Sequence, residues 1–203
     1  MSKQTLQLRK NLRTQRRQLS TFQQRHSEQA AFNQLRKSPQ FRTAKKVGIY
    51  LDGFGELRTR KIIEYCFQQH KQVYLPIICN MNNTLVWVKI SKYQYRNKRF
   101  VMHKLGMLEP MRNRGLHVSH LDILLMPLLA CDQVGTRMGM GGGFYDRTLA
   151  SAPYKPYRLA LAHDFQLLNT KLHRNPWDQA LDALITPKKY TCFKRQLSQS
   201  HIL

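Results

Sequence analysis

The stretch Arg137-Met138-Gly139-Met140-Gly141-Gly142-Gly143-Phe144-Tyr145-Asp146-Arg147 places four glycines within five residues, directly before aromatic, acidic and basic side chains. An apolar run at 123–127 precedes it, and a helical pattern at 144–150 follows it. The glycines therefore lie where a strand is connected to a helix, and they permit positive φ angles and a close approach of the backbone to a ligand. Free N–H groups at such a connection attract an anion such as a polyphosphate. This pattern predicts a phosphate-binding loop.

Two common phosphate-binding motifs do not fit this loop. A Walker loop needs a Lys followed by Ser or Thr after its last glycine, and no such pair follows Gly143. The dinucleotide motif G-x-G-x-x-G also fails, because Phe144 stands three residues after Gly141. A glycine-rich turn formed only for tight packing remains the alternative. The Tyr-Asp-Arg sequence that follows favours a ligand site.

The composition indicates a soluble globular protein with one core. The chain has 203 residues, of which 42% are hydrophobic, enough for a single domain of ordinary size. No apolar run approaches the eighteen or so residues that cross a bilayer, and the N-terminus leads into an Arg-rich segment without a signal-peptide core. We therefore expect a cytoplasmic protein with no membrane partner.

The cysteine pattern excludes two classes of small-protein scaffold. No C-x-x-C pair is present, so neither a zinc site nor a disulfide framework is predicted. We expect all four thiols to be reduced and structural: Cys66, Cys79, Cys131 and Cys192.

The net charge of +23, from 34 Lys and Arg against 11 Asp and Glu, is compatible with two kinds of anionic partner. One is nucleic acid, and the segment 89–104 is the nearest match because Tyr93, Tyr95 and Phe100 stand among its cations. The other is an anionic small molecule. The basic residues are spread along the chain, whereas a dedicated nucleic-acid binder usually concentrates them on one element. Nucleic acid is therefore the less favoured partner.

Strands alternate with helices along the chain. Helices are predicted at 6–19 and from Ser20, where Gln23 completes a capping box, to about Lys37, with Pro39 ending the second. A third helix is predicted at 59–69. The predicted strands are apolar runs at 47–51, 73–76, 85–90, 121–127, 157–162 and 183–186.

This alternation predicts an α/β fold, a three-layer αβα Rossmann-like single domain over 1–203 with a mainly parallel central sheet. The basic segment 188–203 is predicted to be a flexible tail. Ligands of such folds bind beyond the carboxyl ends of the strands. We therefore expect the turn 52–56, the glycine loop and the pair His163-Asp164 to lie in one neighbourhood.

An ordered set of motifs covers most of the chain, from Leu8 to Pro187. They are Leu8-Arg9-Lys10 with Arg13, Arg16, Arg17 and Leu19-Ser20; Tyr50-Leu51 with Gly55-Glu56 and Thr59; and the segments 106–110, 122–127, 132–139, 141–147 and 176–182. In this order they resemble the 5-formyltetrahydrofolate cyclo-ligase family, also called methenyltetrahydrofolate synthetase. The ordered set carries the resemblance, since the glycine loop alone is less specific.

The resemblance implies an enzyme, a carbon-nitrogen ligase that uses ATP as co-substrate and Mg²⁺ as cofactor. Its reaction converts 5-formyltetrahydrofolate to 5,10-methenyltetrahydrofolate and releases ADP and phosphate. In that family the formyl oxygen is phosphorylated, and nitrogen 10 then attacks the activated carbon. Phosphoryl transfer needs positioning and charge neutralisation more than a protein nucleophile, which agrees with a chain that offers a cradle, cations and carboxylates.

The resemblance also implies site residues. The ATP-binding residues would be Lys3, Arg9, Arg137, Met138, Gly139, Met140, Gly141, Gly142, Gly143, Phe144 and Tyr145. The folate-binding residues would be Leu51, Glu56, Met140, Gly141, Gly142, Gly143 and Phe144. The magnesium ligands would be Asp146 and Asp178, hard oxygen donors suited to an ion that keeps several waters. No catalytic residue is assigned.

Each assigned side chain also has an ordinary structural reading. Arg9 is one of several cations on its helix, Asp146 suits a helix dipole, and Asp178 is a candidate helix cap. Three departures from the family pattern are Arg58, Cys131 and Thr5; Thr5 stands where a basic nucleotide-binding residue is expected, and Lys3 is the nearest substitute. We expect a monomer whose basic surface attracts polyglutamylated folate, with a nucleic-acid-binding protein of the same fold as the alternative.

Overall fold

The computed structural model describes residues 3–111 and 114–195 of the chain. The helices in this part are α1 (Lys3–Gln18), α2 (Thr21–Lys37), α3 (Pro39–Thr43), α4 (Arg60–Gln68), α5 (Lys92–Arg96) and α6 (Phe144–Ala150). The strands are β1 (Lys46–Gly48), β2 (Gln72–Cys79), β3 (Thr84–Ile90), β4 (Phe100–Met102), β5 (Leu108–Pro110), β6 (Ile123–Met126), β7 (Ala130–Cys131), β8 (Arg137–Met138), β9 (Tyr157–Leu161), β10 (Ala183–Ile185) and β11 (Tyr190–Cys192).

A seven-stranded sheet forms the centre of the fold, in the order β11-β10-β9-β6-β1-β2-β3. The five inner strands are parallel to their neighbours, and the two edge strands β3 and β11 run antiparallel. The predicted α/β fold with a mainly parallel sheet is confirmed. The order of the strands reverses between β1 and β6, which is the kind of position where open α/β sheets bind ligands.

Both faces of the sheet are covered, because successive strand side chains point to opposite faces. Ile123 and Leu125 pack into a core with helices α2, α3 and α4, whereas Leu124 and Met126 pack into a second core with Leu149 of α6. Strands buried on both faces appear as continuous apolar runs in the sequence. This explains why β6 was recognisable without any alternation.

The first helix lies apart from these two layers. Leu12 of α1 packs with Leu129, Ala130 and Leu172 in a small separate cluster beyond the carboxyl end of β6. The next helix begins at the predicted capping box, in which the Ser20 and Gln23 side chains and backbone N–H groups are bonded reciprocally. The contacts of Leu12 hold the first helix over the end of the sheet where ligands of such folds bind.

Several short elements were not predicted. Pro39 does not simply end a helix: it occupies the first turn of α3, with Ser38 as the cap, since proline is well tolerated there. The hairpin of β4 and β5, the hairpin of β7 and β8, and α5 were also missed. Strands of two or three residues carry too little pattern to be recognised.

The predicted flexible tail at 188–203 is wrong for its first half. Strand β11 pairs with β10, and the Arg195 guanidinium lies 3.0 Å from a carboxylate oxygen of Asp182. The Phe193 N–H also donates to the Asp182 carbonyl at 2.8 Å. The rest of the predicted tail, 196–203, lies outside the described residues. Within the described ranges, no helix is long and apolar enough to span a bilayer.

Candidate active site

The glycine loop connects β8 to α6 and adopts conformations that need glycine. Gly141 has a φ of 111° and Gly143 a φ of 66°, a region that L side chains rarely enter. A Cβ added to Gly141 would lie 2.9 Å from a guanidinium nitrogen of Arg9, and one added to Gly139 would lie 3.0 Å from a guanidinium nitrogen of Arg137. The loop backbone is therefore in close contact with two arginine heads, as a site for a polyphosphate requires.

Both ends of this loop are held by arginine side chains. At its base, Arg137 donates to Asp146 Oδ1 at 2.8 Å, and its guanidinium lies 5.5 Å from the centre of the Tyr145 ring. On its outer side, Arg147 donates to the carbonyls of Gly142 and Asn83 at 2.6 and 3.0 Å. Arg147 also lies over the Phe144 ring at 5.3 Å. The loop is thus shaped by the protein before any ligand is bound.

Helix α1 presents three arginines to the loop. Arg9, Arg13 and Arg16 follow the spacing that places residues on one helix face. Arg13 donates to the Met140 carbonyl at 3.0 Å, and Arg16 lies 3.8 Å from the Met140 sulfur. Partial burial lowers the pKa of Arg9, and the nearby Arg13 charge lowers it further, whereas Asp178 raises it. Because the like charges of Arg9 and Arg13 oppose each other, an anionic ligand beside both would be favoured.

Lys3 and Thr5, the two positions discussed for a basic nucleotide-binding residue, lie at the start of this helix. Lys3 is its first residue and is exposed. Thr5, which stands where the family pattern has a basic residue, is partly buried. Lys3 is therefore at the end of α1 that lies away from the buried Arg16.

Asp146 is linked to the residue that follows Asp178 by a hydrogen bond. The Gln179 N–H donates to Asp146 Oδ1 at 3.1 Å, so the two acidic residues belong to one neighbourhood. Asp178 does not cap a helix, because the segment after it is not helical; its Oδ2 instead closes the turn 175–178 by accepting from the backbone and side-chain nitrogens of Asn175 at 2.8 and 3.1 Å. Each carboxylate therefore uses one oxygen for structure, and the second oxygens are not engaged in any of the described hydrogen bonds.

The two aspartates are the candidate ligands for Mg²⁺. Among residues 3–111 and 114–195, no group of three or more His, Cys, Asp and Glu side chains is arranged to hold a metal ion. Mg²⁺ is usually bound by one or two carboxylates together with substrate phosphates and waters. Asp146 and Asp178, beside a loop lined by guanidinium groups, fit an ion that arrives with a polyphosphate.

Glu56 is buried beside Arg16 of α1. Its side chain is only 12% exposed, and one oxygen is 3.9 Å from the Arg16 guanidinium, which is 1% exposed. Burial raises the pKa of Glu56 to about 7, although Arg16 and the Gly53 N–H lower it. The same burial lowers the pKa of Arg16. At 3.9 Å the ion pair is too long to offset the loss of hydration, so burial decides the direction for both groups.

Two buried tyrosines lie close enough to Glu56 to feel its charge. Burial raises the pKa of Tyr145 and of Tyr50, and the charge of Glu56 raises both further. The Tyr50 hydroxyl donates to the Leu57 carbonyl at 2.9 Å. Both phenols therefore stay protonated at neutral pH and act as donors or as packing surface, not as bases.

The remaining predicted residues lie in the Glu56 turn, in its flanking core and beside α1. Leu51 is partly buried and packs against the core below the Glu56 turn, and Phe54 in that turn is 41% exposed. Met138 packs in the α1 cluster, and Met140 is 41% exposed between Arg13 and Arg16. The glycine loop, α1 and the Glu56 turn are thus brought together as expected from the carboxyl ends of their strands.

Sequence reasoning assigned no role to three side chains of this candidate site. Arg13 and Arg16 contact the loop residue Met140, and their signal in the sequence is the shared helix face with Arg9. His163 was assigned no role, yet it is 2% exposed and its Nε2 lies 3.2 Å from the Gly55 carbonyl oxygen. No local pattern distinguishes such a buried histidine from a surface one.

Comparison with known proteins identifies relatives along almost the whole chain. A sequence model of the 5-formyltetrahydrofolate cyclo-ligase family matches residues 1–187. A 5-formyltetrahydrofolate cyclo-ligase from Escherichia coli is 37% identical over 182 residues, which cover 88% of this chain and 97% of the relative. One from Haemophilus influenzae is 33% identical over 178 residues, which cover 86% of this chain and 93% of the relative.

Solved structures agree with the sequence comparison. The 5,10-methenyltetrahydrofolate synthetase of Aquifex aeolicus aligns with a TM-score of 0.78 at 26% identity, over 97% of each chain. The synthetase of Mycoplasma pneumoniae aligns with a TM-score of 0.69 at 19% identity, over 90% of this chain and 98% of that one, and supports the fold alone.

Proposed function

The chain belongs to the 5-formyltetrahydrofolate cyclo-ligase family and is a ligase, and on this premise we propose that it closes 5-formyltetrahydrofolate to 5,10-methenyltetrahydrofolate at the expense of ATP, with Mg²⁺. The observation that carries the proposal is the contact of Arg9 and Arg137 with the glycine loop, beside the carboxylate of Asp146. Such an arrangement serves phosphoryl transfer, in which charge neutralisation and positioning dominate.

The nucleotide side of the proposed site is formed by α1 and the glycine loop. Arg9 and Arg137 would neutralise phosphate oxygens, and the loop N–H groups of 138–145 would donate to them. Lys3 is proposed to reach the outer part of the nucleotide from the start of α1. Asp146 and Asp178 would hold Mg²⁺ on the phosphates through their second oxygens.

The folate side is formed by the Glu56 turn and the opposite face of the glycine loop. Glu56 and Leu51 would meet the pterin, and 140–144 would lie between the two substrates. Because Glu56 has a pKa of about 7, both of its protonation states are accessible at neutral pH. It would therefore orient pterin or amine nitrogens by accepting their hydrogen bonds.

In the proposed reaction, the formyl oxygen attacks the γ-phosphorus and ADP leaves with the bridging electron pair. Nitrogen 10 then attacks the formyl carbon and loses its proton, and the carbon–oxygen bond breaks to release phosphate. The product keeps the formyl carbon as a bridge between the two nitrogens. No protein nucleophile is needed, and the residues of this chain contribute cations, a closed backbone loop and a buried carboxylate.

The net charge of the protein indicates which substrates and partners it would attract. With a net charge of +23, the protein would attract substrates that carry several glutamates, and the encounter rate would fall with added salt. A monomer acting in the cytoplasm remains part of the proposal. The same charge keeps nucleic-acid binding as the second candidate, and binding that weakens steeply with salt, with no turnover of folate, would favour it.

An isotope experiment tests the proposed chemistry. 5-Formyltetrahydrofolate labelled with ¹⁸O in its formyl group is incubated with the protein and Mg-ATP, and the released phosphate is analysed by mass spectrometry. Transfer of the label to phosphate is expected, because the formyl oxygen becomes a phosphate oxygen. Unlabelled phosphate, with methenyl product formed, would contradict phosphorylation of the formyl group.

A further inference from the structure

His163 lies at the carboxyl end of β9, where it is removed from solvent. The residue is 2% exposed, and its ring lies parallel to that of Phe165 with 5.7 Å between the centres. Its Nε2 is 3.2 Å from the carbonyl oxygen of Gly55. Because a carbonyl only accepts hydrogen bonds, Nε2 must carry the proton. Burial lowers the pKa of His163 to about 4, in agreement with a neutral imidazole that donates through Nε2.

The acceptor of this bond is part of the turn that carries Glu56. The Glu56 N–H donates to the Gly53 carbonyl at 2.9 Å, and the Gly53 N–H donates back to Glu56 Oε2 at 3.2 Å. Phe54 and Gly55 have φ angles of 52° and 74°, so the turn is held in left-handed conformations. The carbonyl of Gly55 belongs to the peptide unit that enters Glu56. A hydrogen bond to this carbonyl therefore fixes the plane from which the Glu56 side chain departs.

The turn is also pressed against α1. A Cβ added to Gly55 would lie 2.6 Å from the Arg16 carbonyl oxygen, and Arg16 is the residue whose guanidinium faces Glu56. His163 approaches the Gly55 peptide from β9, and Arg16 approaches it from the first helix. The peptide that joins Gly55 to Glu56 is therefore contacted by His163, a residue 108 positions after Gly55.

We propose that His163 is a positioning residue for folate binding: by donating through Nε2 to the Gly55 carbonyl, it holds the 53–56 turn so that Glu56 faces its substrate. This proposal rests on the proposed function, in which Glu56 meets the pterin. His163 itself does not need to touch the substrate. Its expected effect is on the affinity for 5-formyltetrahydrofolate and not on the affinity for ATP.

Two substitutions form a matched pair for the test. His163→Gln places an amide N–H near the position of Nε2, whereas His163→Asn is shorter and cannot reach Gly55. Both introduce a buried amide, but Asn is the smaller side chain and leaves the larger gap at this buried position. Thermal unfolding of both variants and their KM for ATP serve as controls for the fold. His163→Gln is expected to stay within about twofold of the wild-type KM for 5-formyltetrahydrofolate, and His163→Asn to raise it about tenfold, because binding depends on the lost alignment.

A second readout does not need turnover. The chemical shift of the Glu56 carboxyl carbon is followed by NMR as the pH is changed. The titratable and charged groups that interact with Glu56 are Arg16, Asp52, Tyr50 and Tyr145. In wild type and His163→Gln the pKa is expected near 7. In His163→Asn the loosened turn admits water, and the pKa falls toward the ordinary carboxyl value.

The KM for 5-formyltetrahydrofolate and the Glu56 titration together distinguish a failure of the positioning role from a failure of the proposed function. Equal KM values and equal Glu56 titrations in the Asn and Gln variants would overturn the positioning role, and so would a changed titration with unchanged KM. If the wild type does not convert 5-formyltetrahydrofolate at all, the proposed function fails and with it the role in folate binding, whatever the titration shows. A raised KM together with a lowered Glu56 pKa in His163→Asn alone would support the role.

Discussion

Arg137 and Asp146 form an ion pair of 2.8 Å that spans the base of the glycine loop, with Arg137 before the glycines and Asp146 after them. The same oxygen of Asp146 also accepts the Gln179 N–H at 3.1 Å. Arg137 is 4% exposed, so this pair is largely protected from solvent. The carboxylate is thus fixed in place from two directions, and its second oxygen is available for a cation beside the loop.

Asp146→Asn tests the metal role of this carboxylate. The amide keeps the size and one acceptor oxygen but loses the charge that Mg²⁺ prefers. We expect the Mg²⁺ concentration for half-maximal turnover to rise about tenfold or more, since a hard cation then has one charged ligand fewer. The measurement is a magnesium titration of ATP-dependent turnover at saturating folate.

Glu64→Gln is the matched control for that titration, because Glu64 is a surface carboxylate that also pairs with an arginine, Arg60, at 2.9 Å. It is expected to leave the titration unchanged. A normal magnesium response in Asp146→Asn would exclude Asp146 as a metal ligand.

Gly141→Ala tests the need for glycine in the loop. Its φ of 111° is strained for alanine, and the added Cβ would lie 2.9 Å from Arg9. We expect a KM for ATP raised about tenfold or more, since a positive φ alone costs about 1–2 kcal/mol and displacement of Arg9 adds to it. Gly53→Ala is the control, because a Cβ there meets nothing within 4 Å. Equal KM values for the two variants would refute the close-contact geometry of the loop.

Arg9→Gln tests the contribution of α1 to nucleotide binding. A hydrogen bond to a charged group contributes about 1.5–3 kcal/mol, so the KM for ATP is expected to rise about tenfold or more. Arg17→Gln, an exposed arginine on the same helix, is expected to change it by less than about twofold. Steady-state kinetics with ATP as the varied substrate distinguish the two. A similar response of both variants would indicate a general charge effect instead of a specific contact.

Glu56→Gln tests the burial of the pocket carboxylate. Its pKa is about 7 in the folded chain against an ordinary value of 4.5, so the folded state binds the proton more tightly. This group therefore favours folding at low pH, and its contribution is lost as the pH rises from about 4.5 through 7. The variant is expected to exceed wild type in stability at pH 8, by on the order of 3 kcal/mol, and to match it near pH 4.

Urea denaturation of both proteins at several pH values provides that measurement. The difference between the two isolates Glu56 from His163, whose pKa of about 4 acts in the opposite direction as the pH falls below 6.5. A pH-independent difference would show that Glu56 is hydrated in the folded protein.

The sequence was sufficient where the pattern is local. Continuous apolar runs predicted the inner strands, the Ser20 and Gln23 pair predicted the start of α2, and the glycines predicted the left-handed positions in the loop. It was insufficient where structure depends on pairing with distant segments. The two-residue strand Arg137–Met138 exists because it pairs with Ala130–Cys131, and no period is visible in two residues.

The proximity of the elements that form the candidate site was predictable to a similar extent. The glycine loop, Arg9, Glu56 and the two aspartates came from motifs, and the geometry brings the loop, helix and turn together. The buried ion pair of Arg16 and Glu56, and the bond from His163 to Gly55, join residues 40 and 108 positions apart. The sequence placed His163 in the neighbourhood of the 52–56 turn and Arg16 on the helix face of Arg9, but it did not show which atom each side chain contacts.

Turnover of folate is measured by following the near-ultraviolet absorbance of the methenyl product after mixing the purified protein with 5-formyltetrahydrofolate and Mg-ATP. The proposed function predicts a band that grows only when both ATP and Mg²⁺ are present and that is lost in Asp146→Ala. No growth with folded wild-type protein, or equal growth in the folded Asp146→Ala variant, would contradict it.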